Sequence, residues 1–196
     1  QMALSGQKTT ADYIQWDKLQ NLILKLERDG DNKFALLLSI GSYTGLRISD
    51  ILKLRWVDVL EKDLIEVIEK KTRKFRRIKV NPNLKDSIER IFIKTKDTNI
   101  ENLVFLNRFE TSSISVQYIN KKLKLLAKQY KLCKSPDKIK SHSLRKSFGR
   151  RVFENNDNSE RSLILLSEMF NHSNIKTTKI YLGIRDKEIF DVYDNL

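Results

Sequence analysis

Two segments in the C-terminal third of the chain contain its only two histidines, each near another reactive side chain. His142 and Arg145 are three residues apart at the start of a predicted helix, so both side chains leave the same face. Imidazole exchanges a proton near neutral pH, and guanidinium binds two phosphate oxygens at any working pH. The pair therefore predicts a phosphate-binding face, although an ordinary cationic surface helix would contain the same residues.

His172 opens a polar stretch that ends nine residues later at Tyr181. A tyrosine alone indicates little, because tyrosines are commonly half-buried in cores. Tyr181 becomes a candidate nucleophile because other segments of the chain could bind and activate a phosphate. One of them contains Arg47, which follows a tight turn and either points into a cleft or pairs with Asp50. These two interpretations are compatible, since Asp50 could hold Arg47 in position.

A further cationic segment, residues 70–79, has seven basic residues in ten and includes Lys71 in the turn of a predicted hairpin. Such a hairpin can lie in a DNA groove, with side chains reaching phosphates or base edges. A solvated edge hairpin, protected from aggregation by lysine and arginine, would have the same composition. The residues expected to contact DNA are Lys70, Arg73, Lys74, Arg76, Arg77, Lys146 and Arg150.

Helices are expected to position these groups, because apolar residues recur at helical spacing through most of the chain. The most apolar helix, residues 33–43, should lie in the core and lead into the turn before Arg47. Alternating residues predict strands at 64–68 and 76–80, with a third at 57–59. The predicted class is mainly α with a small three-stranded antiparallel sheet (α+β). Other helices are expected near residues 17–28, 48–52, 82–95, 115–127, 142–155, 160–170 and 187–193.

The formal net charge of +13, from 38 basic and 25 acidic residues, favours a polyanionic partner. Nucleic acid is weighed above an anionic membrane face, and a solvated basic surface is the alternative. No apolar run approaches the ~18 residues of a membrane span, and no signal peptide is visible. We therefore expect a cytoplasmic protein without membrane association. The single cysteine, Cys133, allows no disulfide within the chain.

Metal chemistry is not expected, because no cluster of His, Asp, Glu or Cys has the spacing of metal ligands. The chain also has no glycine-rich phosphate-binding loop. Phosphoryl chemistry would then need cationic side chains in place of a metal ion, together with a covalent nucleophile. No cofactor is predicted.

Four ordered segments resemble the signature boxes of the tyrosine recombinases, the phage integrase family. Residues 44–58 resemble the first box, and residues 142–148 resemble the His-x-x-Arg box. Residues 172–181 resemble the closing box, with the family's interval between histidine and tyrosine. Lys71, followed by threonine, lies where the family has its catalytic lysine. The resemblance covers about residues 10–196 and implies the fold of the family's C-terminal catalytic domain.

The resemblance also implies catalytic roles. Tyr181 would attack the scissile DNA phosphate, forming a 3′-phosphotyrosine and releasing a 5′-hydroxyl, with His142 as general base. Arg47 and Arg145 would hold the non-bridging oxygens as negative charge builds on them. Lys71 would protonate the departing 5′-oxygen.

Differences from the family pattern lie close to these residues. His172, which would hydrogen-bond a phosphate oxygen, follows Asn171, where the family usually has glycine. Arg73 occupies a position that is often glycine, and Lys146 replaces a common histidine.

The implied protein is a site-specific recombinase that integrates or excises a mobile element by metal-independent cleavage and rejoining of DNA. Residues 1–10 are interpreted as a linker or tag remnant and residues 11–196 as the catalytic domain, with the N-terminal DNA-binding domains absent. Double-stranded DNA is the expected partner. We expect a homo-tetramer on DNA, assembled through the C-terminal tail, and a monomeric isolated domain; packing of the tail on its own domain is equally compatible. A non-catalytic basic nucleic-acid-binding module and a type IB topoisomerase-like enzyme are the alternatives.

Overall fold

The computed structural model describes residues 11–95, 99–184 and 192–194. The chain divides into two compact units, Asp12–Phe148 and Gly149–Leu196 with Gln1–Ala11. Within the described ranges, no helix has both the length and the apolar character needed to cross a membrane. The interpretation of residues 1–10 as a linker or tag remnant lies outside the described residues.

The larger unit is mostly helical. Its helices are α1 (Trp16–Arg28), α2 (Asn32–Thr44), α3 (Ile48–Ile51), α4 (Trp56–Val59), α5 (Pro82–Lys94) and α6 (Val116–Gln129), with a 3₁₀ turn at Pro136–Lys138. The helix α7 (Ser141–Glu154) begins in this unit, and the boundary between the units falls inside it. The strands β1 (Leu64–Ile68) and β2 (Phe75–Lys79) pair antiparallel, with Leu64 opposite Lys79.

The core of the larger unit is built around α2, as its continuous apolar sequence predicts. Nearly every residue of this helix is buried, including Phe34, Leu37 and Ile40. The helix packs against α1 and α5, which both present amphipathic faces to it. Burial of these faces supplies the main hydrophobic stabilisation of the unit.

The prediction of a third strand at residues 57–59 is wrong, because these residues lie in the short helix α4. In the described part of the chain the sheet has two strands. The Asp58 carboxylate accepts a hydrogen bond of 2.8 Å from the backbone N–H of Arg55, which caps the helix. The N–H groups of Trp56 and Val57 donate to backbone carbonyls of residues 102 and 100, distant in sequence. The N–H groups of Trp56 and Val57 are therefore not available to pair with a neighbouring strand of the sheet.

The described part of the smaller unit contains the end of α7 and the helices α8 (Glu160–Phe170) and α9 (Ile175–Leu182). The helices α8 and α9 pack against each other. Their buried residues include Leu166, Phe170 and Leu182. Ser159 caps α8 by accepting a hydrogen bond from the Ser162 N–H. The helix predicted at residues 187–193 lies mostly outside the described residues. In this segment residues 192–194 are described, and they are helical.

Candidate active site

The turn after α2 joins two of the predicted site residues. Gly45 ends the helix with a left-handed conformation (φ +60°), and a Cβ there would lie 2.5 Å from the Phe148 ring. Both conditions favour glycine. The Gly45 carbonyl accepts a hydrogen bond of 2.5 Å from Nη1 of Arg145, a residue with 3% of its surface accessible. The turn that leads to Arg47 therefore also fixes Arg145.

Arg47 lies at the N-terminal end of α3, where the chain leaves this turn. Its Nη1 donates a hydrogen bond of 2.6 Å to Oε2 of Glu69, and 16% of its side chain remains accessible. The guanidinium is thus held by a carboxylate while it keeps contact with solvent. An arginine in this state can bind an incoming anion with little further ordering.

The hairpin between β1 and β2 presents Lys71 in an exposed turn. The backbone N–H of Lys70 donates to Asp50 Oδ1 at 2.9 Å, which attaches the hairpin to α3. Thr72, the residue after Lys71, donates from Oγ1 to Glu69 Oε2 at 2.8 Å. Lys71 therefore lies in a turn that is held on both sides of the residue by hydrogen bonds to carboxylates.

His142 is exposed in the first turn of α7, and the groups around it change its titration. Its pKa is lowered from the usual 6.5, first by partial burial of the ring and then by the positive charge of Arg145. The charges of Arg47, Lys71 and Lys146 act in the same direction. A histidine in this field is neutral at physiological pH, the form in which it can accept a proton.

The smaller unit brings together three aromatic rings at the end of α8 and in α9. His172 and Tyr181 have ring centroids 5.3 Å apart, and Phe170 lies 5.5 Å from His172 and 5.6 Å from Tyr181. All three pairs meet edge to face, a favourable arrangement for aromatic rings. Nδ1 of His172 lies 2.9 Å from Oγ1 of the buried Thr178, which orients the imidazole.

Asn171 forms the turn that separates α8 from His172. It adopts the left-handed conformation (φ 53°, ψ 46°), and its N–H donates to the Glu168 carbonyl at 3.0 Å. The His172 N–H donates to the Ser167 carbonyl at 2.9 Å. This pair of bonds is the Schellman motif, which glycine usually completes and asparagine also tolerates. Asparagine therefore makes the turn that the usual glycine would make.

The residues predicted to contact DNA differ in accessibility. Lys70, Arg73, Lys74 and Arg77 are exposed, and Arg150 is half-buried. The Arg76 side chain is 12% accessible and donates from Nη2 to the Thr44 carbonyl at 2.9 Å, while Lys146 is 8% accessible. Whether each of them contacts DNA stays a prediction.

Glu69 is the residue of this region that the sequence analysis missed. It has 0% of its surface accessible and is bound to Arg47 and Thr72. The only signal in the sequence is an acidic residue directly before a strongly basic turn. That signal is weak, because alternating charges are common at the ends of exposed strands.

The six predicted catalytic residues are divided between the two units. The larger unit contains Arg47, Lys71, His142 and Arg145, and the charges of three of them act on the fourth, His142. The smaller unit contains His172 and Tyr181, whose rings are in contact.

The sequence of the chain is similar to those of known integrases and recombinases. The model of the phage integrase family matches residues 13–188. The probable integrase/recombinase YoeC of Bacillus subtilis is 32% identical over 165 residues, which cover 84% of this chain and 82% of YoeC. A tyrosine recombinase of Pseudothermotoga lettingae is 24% identical over 189 residues, 94% of this chain and 60% of that protein.

Solved structures show the same fold. A XerH site-specific recombinase in a post-cleavage complex with its difH substrate has a TM-score of 0.69 at 20% identity, over 97% of this chain and 55% of that one. The XerA recombinase has a TM-score of 0.68 at 21% identity, over 93% and 64% of the two chains. This chain thus spans somewhat more than half the length of several relatives that it matches.

Proposed function

Because the chain belongs to the phage integrase family, we propose that it is the catalytic part of a site-specific DNA recombinase that cleaves and rejoins strands through Tyr181. The observation that carries the proposal is the group of cations, Arg47, Lys71 and Arg145, whose charges all act on His142. A phosphodiester is an anion that such a group of cations can bind, and a neutral imidazole can accept the proton that a phenol must lose.

In the proposed first step, the Tyr181 oxygen forms a bond to the scissile phosphorus while the bond from phosphorus to the 5′-oxygen breaks. The phenolic proton passes to His142, because a phenol with a pKa near 10 is a poor nucleophile while protonated. The electron pair of the broken bond goes to the 5′-oxygen, which takes a proton from Lys71. The products are a 3′-phosphotyrosine and a free 5′-hydroxyl.

The two arginines would stabilise the charge that develops on the non-bridging oxygens during this step. Both are bound to protein acceptors in the structure, Arg47 to Glu69 and Arg145 to the Gly45 carbonyl. Donors that are already oriented cost little reorganisation when charge appears, which is the main requirement of electrostatic catalysis. His172 would add a hydrogen bond to a phosphate oxygen.

Rejoining is the reverse reaction with a new 5′-hydroxyl. The oxygen of that hydroxyl forms a bond to phosphorus while the bond from phosphorus to the Tyr181 oxygen breaks. The hydroxyl proton passes to Lys71, His142 returns a proton to the Tyr181 oxygen, and the phosphodiester is restored. The covalent intermediate keeps the energy of the broken linkage, so strand exchange needs no separate energy source.

Double-stranded DNA is the proposed partner. The solved XerH structure is a complex with difH substrate, and a Tn1549 transposon integrase of similar fold was solved with circular intermediate DNA. The net charge of +13 supports the same class of partner here. We further propose action in the cytoplasm on DNA of a mobile element. Assembly into a tetramer on DNA through the C-terminal tail, from a chain that is monomeric alone, is also proposed; Val192 and Tyr193 in that tail are exposed.

The test uses a pool of nicked duplexes with randomised recognition arms, designed so that the short fragment beyond the cleaved bond diffuses away. At low salt and high protein concentration, we expect a protein–DNA adduct that survives SDS, with the nucleotide on the peptide that contains Tyr181. Mass spectrometry of the digested adduct locates the linkage. Tyr181→Phe should abolish the adduct and leave retention of DNA in a gel-shift assay within about threefold, because the hydroxyl adds little to phosphate binding.

Tyr130→Phe is the matched control, since it removes one hydroxyl at the end of α6 and keeps the ring beneath Lys25. This variant should form the adduct at the wild-type rate. DNA retention without an adduct in the wild type would favour the non-catalytic binding module. Relaxation of supercoiled plasmid without regard to sequence would favour the topoisomerase-like enzyme.

A further inference from the structure

Glu69 is a carboxylate with no accessible surface inside a strongly basic region. Its Oε2 accepts hydrogen bonds from Arg47 Nη1 at 2.6 Å and from Thr72 Oγ1 at 2.8 Å. Its Oε1 lies 3.5 Å from Nη1 of Arg76, whose Nη2 in turn donates to the Thr44 carbonyl. Glu69 thus contacts Thr72 in the hairpin turn, Arg76 in β2 and Arg47 at the N-terminal end of α3.

The carboxyl of Glu69 is ionised at working pH. Burial raises its pKa, but the hydrogen bonds from Thr72 and Arg47 and the charges of Arg47 and Arg145 outweigh burial, so the pKa is lowered from its usual 4.5. A buried carboxylate is costly unless it is paired, and here two arginines and a hydroxyl pair it. The same carboxylate offsets part of the positive charge of Arg47, which by itself would weaken the binding of a phosphate.

The contacts of Glu69 explain why a negative charge is useful at this place. Arg47 lies at the N-terminal end of α3, whereas Lys71 lies in the exposed turn of the hairpin, 24 positions later in the sequence. Thr72 is the neighbour of Lys71, so one oxygen of Glu69 joins the Lys71 turn to the guanidinium of Arg47. The backbone N–H of Arg73 donates a hydrogen bond of 2.8 Å to the backbone carbonyl of Glu69, which closes the hairpin turn.

We propose that Glu69 is a positioning residue of the recombinase site, which holds the plane of Arg47 and the turn of Lys71 toward one and the same phosphate. This inference rests on the proposed function of the site. Glu69 touches neither substrate nor the reacting atoms, and it acts through the two cations. A guanidinium held at Nη1 can no longer rotate freely, so its other N–H groups keep a fixed direction.

The experiment compares two scissile linkages, one with the natural bridging 5′-oxygen and one with sulfur in its place. A thiolate leaves without a proton, so the sulfur linkage bypasses Lys71 but still needs Arg47. We expect Glu69→Gln to slow adduct formation on the oxygen linkage by on the order of 100-fold at saturating DNA. On the sulfur linkage, the loss of rate in Glu69→Gln should be smaller, because the part caused by a misplaced Lys71 disappears. The part caused by a misplaced Arg47 should remain.

Thr72→Val separates the two halves of the inference, because it removes the hydroxyl beside Lys71 and keeps the contact between Glu69 and Arg47. Thr72→Val should slow adduct formation on the oxygen linkage only, and its rate on the sulfur linkage should equal that of the wild type. Glu66→Gln is the matched control, since Glu66 is an exposed carboxylate of the same hairpin, bound to Arg77 at 2.8 Å. Its rates at saturating DNA should equal those of the wild type on both linkages.

A readout without DNA keeps this inference separate from the proposed function. In the wild type, restricted rotation of the Arg47 guanidinium should give separate Nη resonances in ¹⁵N NMR, assigned with Arg47→Lys. These resonances should merge in Glu69→Gln and stay separate in Glu66→Gln.

A wild type that forms no adduct overturns the proposed function, while the NMR comparison still decides whether Glu69 holds Arg47. An active wild type with Glu69→Gln rates within twofold of Glu66→Gln overturns the positioning role. Equal losses on both linkages for Glu69→Gln, with wild-type rates for Thr72→Val, overturn the connection to Lys71. Melting temperatures of all variants show whether a loss follows unfolding instead of misplacement.

Discussion

At the scale of single residues, the larger unit places a proton acceptor, His142, among positive charges. His142 has Arg145, Arg47, Lys71 and Lys146 as its electrostatic neighbours, and each makes the imidazolium form less favourable. Partial burial of the ring lowers the pKa of His142 first, and the charges that would hold a phosphate lower it further. In the proposed reaction, one group of cations would therefore both bind the phosphate and help to keep the base free of a proton.

This arrangement predicts how His142 titrates in the DNA-free protein. We expect an NMR titration midpoint below 6.5 for its ring, with His142→Gln identifying the resonance. Because the folded-state pKa is lowered, the contribution of His142 to folding stability is present above pH 6.5 and is lost as the pH falls through the folded-state pKa. The melting temperature of the wild type should therefore fall more between pH 7.5 and pH 5 than that of His142→Gln. A midpoint above 6.5 would contradict the electrostatic account.

At the scale of elements, the position of α9 depends on a close approach to α7 within the smaller unit. A Cβ on Gly149 of α7 would lie 2.6 Å from Leu182 Cδ2 and 3.1 Å from the Phe170 ring. Leu182 directly follows Tyr181, and Phe170 contacts the Tyr181 ring. The absence of a side chain at Gly149 therefore sets where the proposed nucleophile lies.

Gly149→Ala should destabilise the protein by about 1–3 kcal/mol, since one added methyl group overpacks this contact. It should also slow adduct formation more than it weakens DNA binding, because α9 carries Tyr181. Chemical denaturation and the suicide-duplex assay measure the two effects. Glu154→Ala, an exposed change in the same helix, is the control and should alter neither. Unchanged stability in Gly149→Ala would show that α9 moves away without cost.

The elements that the sequence predicts best are those whose signals are local. The helix predicted at residues 160–170 is found as Glu160–Phe170, since both its cap at Ser159 and its apolar face lie within the segment. The prediction of a strand at residues 57–59 is wrong, because the helix cap at Arg55 competes with the alternating pattern. In addition, the N–H groups of Trp56 and Val57 donate to the carbonyls of residues 102 and 100, which are distant in the sequence. Contacts of that range cannot be read from a short window.

The same distinction holds for the candidate site. Motif spacing alone predicts His142 with Arg145 and His172 with Tyr181 as site residues, because each pair lies within one segment. Glu69 could not be identified in this way. Its partner Arg47 lies 22 residues away, and only the fold brings the two together.

At the scale of the whole molecule, the excess of positive charge predicts salt-sensitive binding to DNA. With random-sequence duplex, Lys70→Ala combined with Lys74→Ala should reduce the slope of log K against log salt concentration by about 1.8, at ~0.9 per lost phosphate contact. Both residues are exposed in the hairpin turn. Fluorescence anisotropy over a range of salt concentrations gives the slope.

The control for charge alone removes two lysines that are engaged in ion pairs. Lys85 is bound to Asp63 at 2.8 Å and Lys94 to Glu27 at 3.0 Å. Combining Lys85→Ala with Lys94→Ala lowers the net charge equally but should leave the slope near the wild-type value. Equal slopes for the two double variants would mean that the hairpin makes no specific phosphate contacts.

The left-handed turn at Asn171 has a consequence for recognising such chains in genomes. A search string that demands glycine before the second histidine passes over this sequence, although its backbone makes the same turn. The turn needs a positive φ at that position, which glycine adopts freely and asparagine adopts at low cost. A consensus written in terms of permitted backbone angles would accept both residues. It would still reject β-branched ones, for which the turn is strained.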